Sequence, residues 1–182
     1  TSDLDTRNLL RGTRMHNTVC IDREEQSRIP KKEEGVFWMH NDLRPSGIHF
    51  ESSDDQDTIS AEHSGYQRLS NPVTHHREIR LNKITDELMV TDRLEGGGHH
   101  DLEWNFHLHP DVTYERTGAH TFDIKLRTGT LAVLFDPSLT IEECKTPYSP
   151  SYGIILQSKS LRCTWSGDLP TNHFHFSFLD LF

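Results

Sequence analysis

Hydrophobic and polar residues alternate along most of this chain. Between positions 102 and 108 the even-numbered residues are Leu, Trp, Phe and Leu, whereas the odd-numbered ones are Glu, Asn and His. Phe122, Ile124 and Leu126 repeat this spacing. Because successive side chains on a strand point to opposite faces, a period of two predicts half-buried antiparallel strands. Segments rich in Gly, Pro, Asp, Thr and Ser predict turns at 45–47, 96–98, 109–111, 128–129, 136–138 and 166–168.

Short strands joined by frequent turns are typical of sandwiches and barrels. We therefore predict an all-β fold, a large antiparallel β-sandwich of about a dozen strands. The whole of residues 1–182 is expected to form a single domain. Continuous apolar runs at 131–135 and 154–156 predict central strands.

Two segments depart from the strand pattern. One short helix is predicted near the N-terminus, from Asp3 to Leu10, with Ser2 or Asp3 as its cap. The acidic segment 51–57 is expected to be a disordered loop.

Composition and charge limit the classes of partner. Only 33% of the 182 residues are hydrophobic, which fits a broad charged surface or a face that packs on another domain. No run of about 18 apolar residues occurs, so no transmembrane helix is predicted. The net charge of −9 argues against nucleic acid and against an anionic membrane as partners. Attraction of an anionic polymer would have to be local, for example through Arg7, Arg11 and Arg14.

The cysteines carry little functional signal. Cys20, Cys144 and Cys163 are an odd number at wide spacing, which argues against a disulfide framework and a zinc knuckle. Cys20 and Cys163 lie in apolar strand patterns and are expected to be buried free thiols.

Thirteen histidines invite a metal-binding interpretation, which the strand period tests. The adjacent pairs at 75–76 and 99–100 point to opposite faces of a strand, so neither pair is suited to share one metal. His107 and His109 share a face and have the spacing of a chelating pair. Pro110 breaks the strand beside them and no carboxylate cluster is near in sequence, which disfavours a metal there.

A single histidine, His16, stands where an arginine-punctuated segment ends and a predicted strand begins. Functional side chains are often placed at the ends of such elements. The pattern alone leaves two interpretations open, a metal-binding or catalytic imidazole and a hydrogen-bonded structural one.

An ordered series of short motifs adds to this pattern. They are RNLLRGTRMHNTV at 7–19, DREEQS at 22–27, Tyr66 with VTHHREI at 73–79, VTDRLEG at 90–96 with FHLHP at 106–110, and SPSYG at 149–153. The series resembles the C-terminal β-sandwich portion of heparinase II/III-like polysaccharide lyases. Arg23, in the second motif, stands where that family usually has glycine.

The resemblance implies a function and a set of partners. This chain would be the C-terminal part of a longer lyase whose helical toroid domain lies upstream. The complete enzyme would cleave an anionic polysaccharide that contains uronic acid, such as a glycosaminoglycan or alginate, by β-elimination in the periplasm or outside the cell. The catalytic tyrosine and its helpers would also lie upstream, so this chain alone would be inactive.

Site residues follow from the same resemblance. His16 matches a zinc ligand of several family members, and the other zinc ligands would lie outside this chain. Arg11 and Arg14 are close to His16 in sequence and are candidates to bind the anionic substrate, with a plain salt-bridge role as the alternative.

Two other classes of function remain open. A non-catalytic carbohydrate-binding module would be marked by exposed aromatic residues on one sheet face, such as Trp38 or Tyr66. A structural or interaction domain would use its histidines for packing alone.

Overall fold

The computed structural model describes residues 4–30 and 37–179. The predicted helix is confirmed as α1 (Leu4–Arg11), and a short 3₁₀ turn, Thr13–Met15, follows it. The predicted cap at positions 2–3 lies outside the described residues. In the described ranges, no helix is long and apolar enough to cross a membrane. The strands are β1 (Val19–Ile21), β2 (Pro45–Ser52), β3 (Gln56–Tyr66), β4 (Val73–Asn82), β5 (Glu87–Gly96), β6 (His100–His107), β7 (Thr113–Arg116), β8 (Thr121–Leu126), β9 (Gly129–Phe135), β10 (Thr140–Tyr148), β11 (Leu156–Gly167) and β12 (Thr171–Leu179).

These strands form two antiparallel sheets. The four-stranded sheet has the order β1-β6-β11-β10, and the eight-stranded sheet has the order β2-β3-β4-β5-β12-β9-β8-β7. The all-β, antiparallel fold of about a dozen strands that the alternation predicts is therefore confirmed. The chain divides into two compact units. Unit 1 contains α1 and the smaller sheet, and unit 2 contains the larger sheet.

In unit 1, β6 occupies an interior position between β1 and β11. The register places Val19 and Cys163 on either side of Trp104, and all three side chains are fully buried. Burial raises the pKa of the Cys20 thiol to about 11, and it also raises that of Cys163. The prediction that Cys20 and Cys163 are buried free thiols is confirmed.

In unit 2, the buried face is built around aromatic rings. Phe174 pairs with Val90 on one side and with Phe135 on the other. The rings of Phe122, Phe135 and Phe174 meet edge to face, with centroids 5.8 and 6.1 Å apart. This arrangement is the preferred geometry of aromatic pairs. Because β9 lies between β12 and β8 in the larger sheet, the predicted central strand at 131–135 is confirmed.

The expectation that segment 51–57 is disordered is wrong. This segment closes a tight hairpin between β2 and β3, and Lys83 from another hairpin of unit 2 holds it. The Lys83 ammonium group lies 2.7 Å from Asp57 Oδ1 and donates to Ser53 O, also at 2.7 Å. A cation remote in sequence thus offsets the negative charge that suggested disorder.

The prediction of a central strand at 154–156 is also wrong. Ile154 and Ile155 belong to the connection between β10 and β11, and only Leu156 is in a strand. All three side chains are exposed. The apolar run reflects exposed residues at a hairpin end, where β10 and β11 pair from Tyr148 with Leu156 onward.

Close packing of Gly96 makes a testable prediction about unit 2. A Cβ at Gly96 would lie 2.3 Å from Pro72 O, which real Cβ atoms do not approach. We expect Gly96→Ala to lower the free energy of unfolding by about 1–3 kcal/mol, measured by urea denaturation. Gly97→Ala is the matched control, since a Cβ there meets nothing within 4 Å. Equal stability of the two variants would contradict the packing argument.

Candidate functional site around His16

The segment that carries the predicted site residues has a defined backbone. The helix ends at Arg11, the 3₁₀ turn follows, and His16 is extended with φ −125° and ψ 154°. Thr13 is buried and anchors the turn. Its N–H donates to Glu25 Oε2 at 2.5 Å, and the Gln26 N–H donates to Thr13 Oγ1 at 2.8 Å.

His107 at the end of β6 holds this segment against the smaller sheet. Its backbone N–H donates to Asn17 Oδ1 at 2.9 Å, and its ring Nε2 lies 2.9 Å from Arg14 O. Because a carbonyl oxygen only accepts, Nε2 must carry the proton. Burial lowers the pKa of His107, which favours this neutral form. His107 is thus a donor that positions the segment from Arg14 to Asn17.

The His16 ring is exposed, and within the described ranges no hydrogen bond or ion pair to it is found. Charge repulsion from His16 makes a small contribution to the lowered pKa of His107, after burial. The described part of the chain contains no group of three His, Cys, Asp or Glu residues that could hold a metal ion. An exposed imidazole fits a metal ligand, but the remaining ligands would have to come from elsewhere.

Arg11 and Arg14 have different surroundings. Arg11 Nε donates to Asn8 Oδ1 at 3.0 Å, and its Nη1 donates to Trp38 O at 3.1 Å. Arg14 Nη2 lies 3.2 Å from Glu103 Oε2, and 46% of its side chain is exposed. The Glu103 side chain is only 16% exposed, so the Arg14 guanidinium is half open to solvent beside a mostly buried carboxylate.

A pocket of about 400 Å³ lies beside the same segment. Met15, Thr146 and Tyr148 are among its lining residues, and the Thr146 hydroxyl lies 3.4 Å from His107 Nδ1. The His109 ring stacks edge-on against Tyr148, at 5.1 Å between centroids. His107 and His109 therefore have separate partners. Sequence reasoning missed Thr146 and Tyr148, because no local pattern links β10 to a turn 131 residues earlier.

The turn after β1 contains Arg23, which departs from the pattern of the family that the motifs resemble. Asp22 and Arg23 both have left-handed backbones, with φ +53° and +62°. Glycine adopts such angles most easily, which is why it is usual at the position of Arg23. The turn is retained because Asp22 Oδ2 accepts from His100 Nδ1 at 2.8 Å and Oδ1 accepts from Asp101 N–H at 2.9 Å.

Unit 2 contains a separate network of hydrogen-bonded polar side chains that the sequence did not reveal. As predicted, His75 and His76 point to opposite faces of β4. His75 is buried, 2.8 Å from Asp92 Oδ1, while His76 lies between Glu62 and Glu95. His75 Nδ1 also lies 3.1 Å from His63 Nε2.

Every ring nitrogen of His63 and His75 in this network has a partner. The Gly65 N–H donates to His63 Nδ1, so His63 Nε2 must donate to His75 Nδ1, and His75 Nε2 donates to Asp92. Arg77 grips the same carboxylate through Nε and Nη2, at 2.7 and 2.6 Å. Burial acts to raise the pKa of Asp92, but the hydrogen bonds from Arg77 and His75 hold it well below its usual range. The cluster is closed and leaves no ring nitrogen for a metal.

The fold defines a class of protein, the antiparallel β-sandwich of about a dozen strands. A model of the heparinase II/III-like C-terminal family matches residues 2–167. The chain therefore belongs to the heparinase II/III-like C-terminal family. The match includes every motif of the series between 7 and 153.

Two solved structures are similar to this chain. The heparan sulfate lyase HepC from Pedobacter heparinus aligns over 97% of this chain and 26% of its own, with 17% identity and a TM-score of 0.74. Heparinase III, the BT4657 gene product, aligns over 96% of this chain and 25% of its own, with 13% identity and a TM-score of 0.70. Both confirm the fold, a β-sandwich, and this chain spans about a quarter of their length. No curated protein matches the sequence.

The polar network of unit 2 predicts how the free energy of unfolding depends on pH. Burial, with a smaller contribution from the charge of Arg77, lowers the pKa of His63 from about 6.5 to about 4. The unfolded chain therefore binds a proton first, and stability should fall as the pH decreases from 6.5 to 4. Urea midpoints across this range measure the loss. His63→Gln keeps a donor toward His75 but does not titrate, so its loss should be smaller; an identical pH profile would contradict the assignment.

Proposed function

We propose that this chain is the C-terminal β-sandwich part of a lyase that cleaves uronic-acid-containing polysaccharide by β-elimination. Family membership over residues 2–167 carries the proposal. The names of the two similar structures, a heparan sulfate lyase and heparinase III, support a glycosaminoglycan as the substrate. The helical catalytic domain of the same enzyme would be the partner. A polymeric substrate also favours a periplasmic or secreted location.

The chemistry assigns a task to the arginines of this chain. β-Elimination removes the proton at C5 of the uronate, expels the oxygen at C4 and forms a C4–C5 double bond. A cation on the uronate carboxylate stabilises the negative charge that develops when the proton leaves. Arg14 suits this task because it is half exposed and is fixed by the bond from His107 to its carbonyl. The proton-transferring tyrosine would come from the upstream domain.

Arg14 provides the test of this proposal. In the complete enzyme, we expect Arg14→Ala to raise KM for a uronic polysaccharide about tenfold, the typical loss of a charged hydrogen bond, and to lower kcat as well, because the same cation stabilises the charge that develops as the proton leaves. Ultraviolet absorbance of the unsaturated uronate product measures the rate. Arg80→Ala is the matched control, because Arg80 is similarly exposed and is also paired with a glutamate. A complete enzyme that forms no unsaturated product would overturn the lyase proposal, and an unchanged KM would remove Arg14 from it.

Zinc is a further part of the proposal. We propose His16 as one zinc ligand, with the others outside this chain. Bound zinc would fix the ends of the elements that meet at His16, an indirect structural role. The fit rests on an exposed ring that is positioned by its backbone.

Elemental analysis tests the zinc ligand. We expect stoichiometric zinc in the longest native product of the gene, and loss of that zinc in His16→Ala. His49→Ala is the control, because His49 is also exposed but lies in unit 2. Zinc that persists in His16→Ala, or its absence from the wild type, would contradict the assignment.

One observation favours sugar binding without catalysis as a second candidate. Trp38, named above as a mark of a carbohydrate-binding module, is 50% exposed. Tyr66, the other residue named, is fully buried and cannot contact a sugar. Binding of sugar with no elimination by the complete enzyme would favour this alternative.

A further inference from the structure

Residues 37–42 lie in unit 1 and are secured at their base. Arg28 grips Asp42 with a fork of two bonds, from Nε at 2.9 Å and from Nη2 at 2.7 Å. The Arg28 N–H adds a third bond to the same carboxylate at 2.8 Å, and His40 N–H donates to Arg28 O at 3.1 Å. These four bonds fix the position from which the preceding aromatic residues emerge.

Two aromatic rings are presented from this base. Phe37 is 88% exposed and Trp38 is 50% exposed. The Trp38 indole is braced by His40, whose ring meets it edge-on at 5.0 Å. Adjacent exposed aromatic rings, one of them held in place, are typical of surfaces that contact a partner.

Helix α1 brings two arginines to these rings. The Arg7 guanidinium lies 4.9 Å from the centroid of the Phe37 ring, within the range of a cation–π contact. Arg11 Nη1 donates to Trp38 O at 3.1 Å, which brings its guanidinium beside the tryptophan residue.

The two arginines also repel each other. They stand four positions apart, on the same face of the helix, where like charges are unfavourable by a few tenths of a kcal/mol. Burial and the charge of Arg7 both lower the pKa of Arg11. A chain of net charge −9 thus concentrates positive charge at one aromatic surface, and a bound anion would relieve the repulsion.

We infer that Phe37, Trp38, Arg7 and Arg11 form a binding surface for an acidic sugar, a hexuronate unit of the polysaccharide. The inference rests on the proposed function for its substrate class. A pyranose ring offers an apolar face of C–H groups, which suits the electron-rich face of an indole. Its carboxylate suits the guanidinium fork of an arginine. These four residues bind the polymer, and neither Arg14 nor His16 belongs to this surface.

Calorimetry with two matched sugars tests the inference on this chain. The first is a tetrasaccharide of alternating hexuronate and N-acetylhexosamine, and the second is the same molecule with its carboxylates reduced to alcohols. We expect Trp38→Ala to weaken binding of both sugars about tenfold, because stacking does not need the charge. Arg11→Ala should weaken only the acidic sugar, by about tenfold.

Two control variants match these changes. Tyr152→Ala removes another exposed aromatic ring, and Arg80→Ala removes another half-exposed arginine; both should bind like the wild type. Wild-type affinity in Trp38→Ala and Arg11→Ala would overturn the inference, as would equal affinity of the wild type for the acidic and the reduced sugar. Absence of any binding by the wild-type chain would overturn it too.

The outcome is separable from that of the proposed function. If the complete enzyme forms unsaturated products while Trp38→Ala binds normally, the lyase proposal stands and the surface is rejected. If the complete enzyme cleaves no uronic polymer but this chain loses the tetrasaccharide in Trp38→Ala, the surface stands and the lyase proposal fails.

Discussion

The interior position of β6 in the smaller sheet is the constraint on which the candidate site depends. Trp104 is buried between Val19 of β1 and Cys163 of β11. Because side chains alternate along a strand, burial of Trp104 turns Glu103 toward the other face, where it pairs with Arg14. The same register leaves His107 beyond the end of β1, where its ring reaches the Arg14 carbonyl. A slip of one residue would reverse every one of these orientations.

Histidine rings occupy two opposite kinds of environment in this chain. His75 and His107 are shielded rings whose protons are assigned by carbonyl or carboxylate acceptors, so they hold structure. Asp92, fully buried, is tolerable only because Arg77 and His75 satisfy it, since an unpaired buried carboxylate is very costly. His16 differs, because its ring is exposed and has no hydrogen bond among the described residues. The count of thirteen histidines is therefore a poor guide to metal binding. The burial and hydrogen bonding of each ring instead separate structural histidines from exposed ones.

Local patterns predicted most of the fold but only part of the site. The period of two located β6, β8 and β12, and the polar start of the chain located α1. The failure at 51–57 came from a contact that no short window contains, the ion pair of Lys83 with Asp57. The failure at 154–156 came from apolar residues that are exposed at the end of the β10–β11 hairpin. The motif series predicts His16, Arg11 and Arg14 as site residues, and their roles stay predictions. Their tie to β6 could not be read from the sequence, because His107 lies 93 positions after Arg14.

The charge of the chain restricts how it could hold the acidic polymer that we propose as its substrate. At physiological salt, screening reduces interactions between exposed charges beyond about 8 Å, so a net charge of −9 repels weakly at a distance and local arginines act only near contact. Attraction of short range gives little guidance to an approaching chain, and contact area must supply the rest of the affinity. Helix α1 supplies such contact area, because Arg7 lies against the Phe37 ring and Arg11 donates a hydrogen bond to Trp38 O. An anion that reaches these arginines therefore also meets an apolar surface, and a sugar with a carboxylate and an apolar face can use both at once.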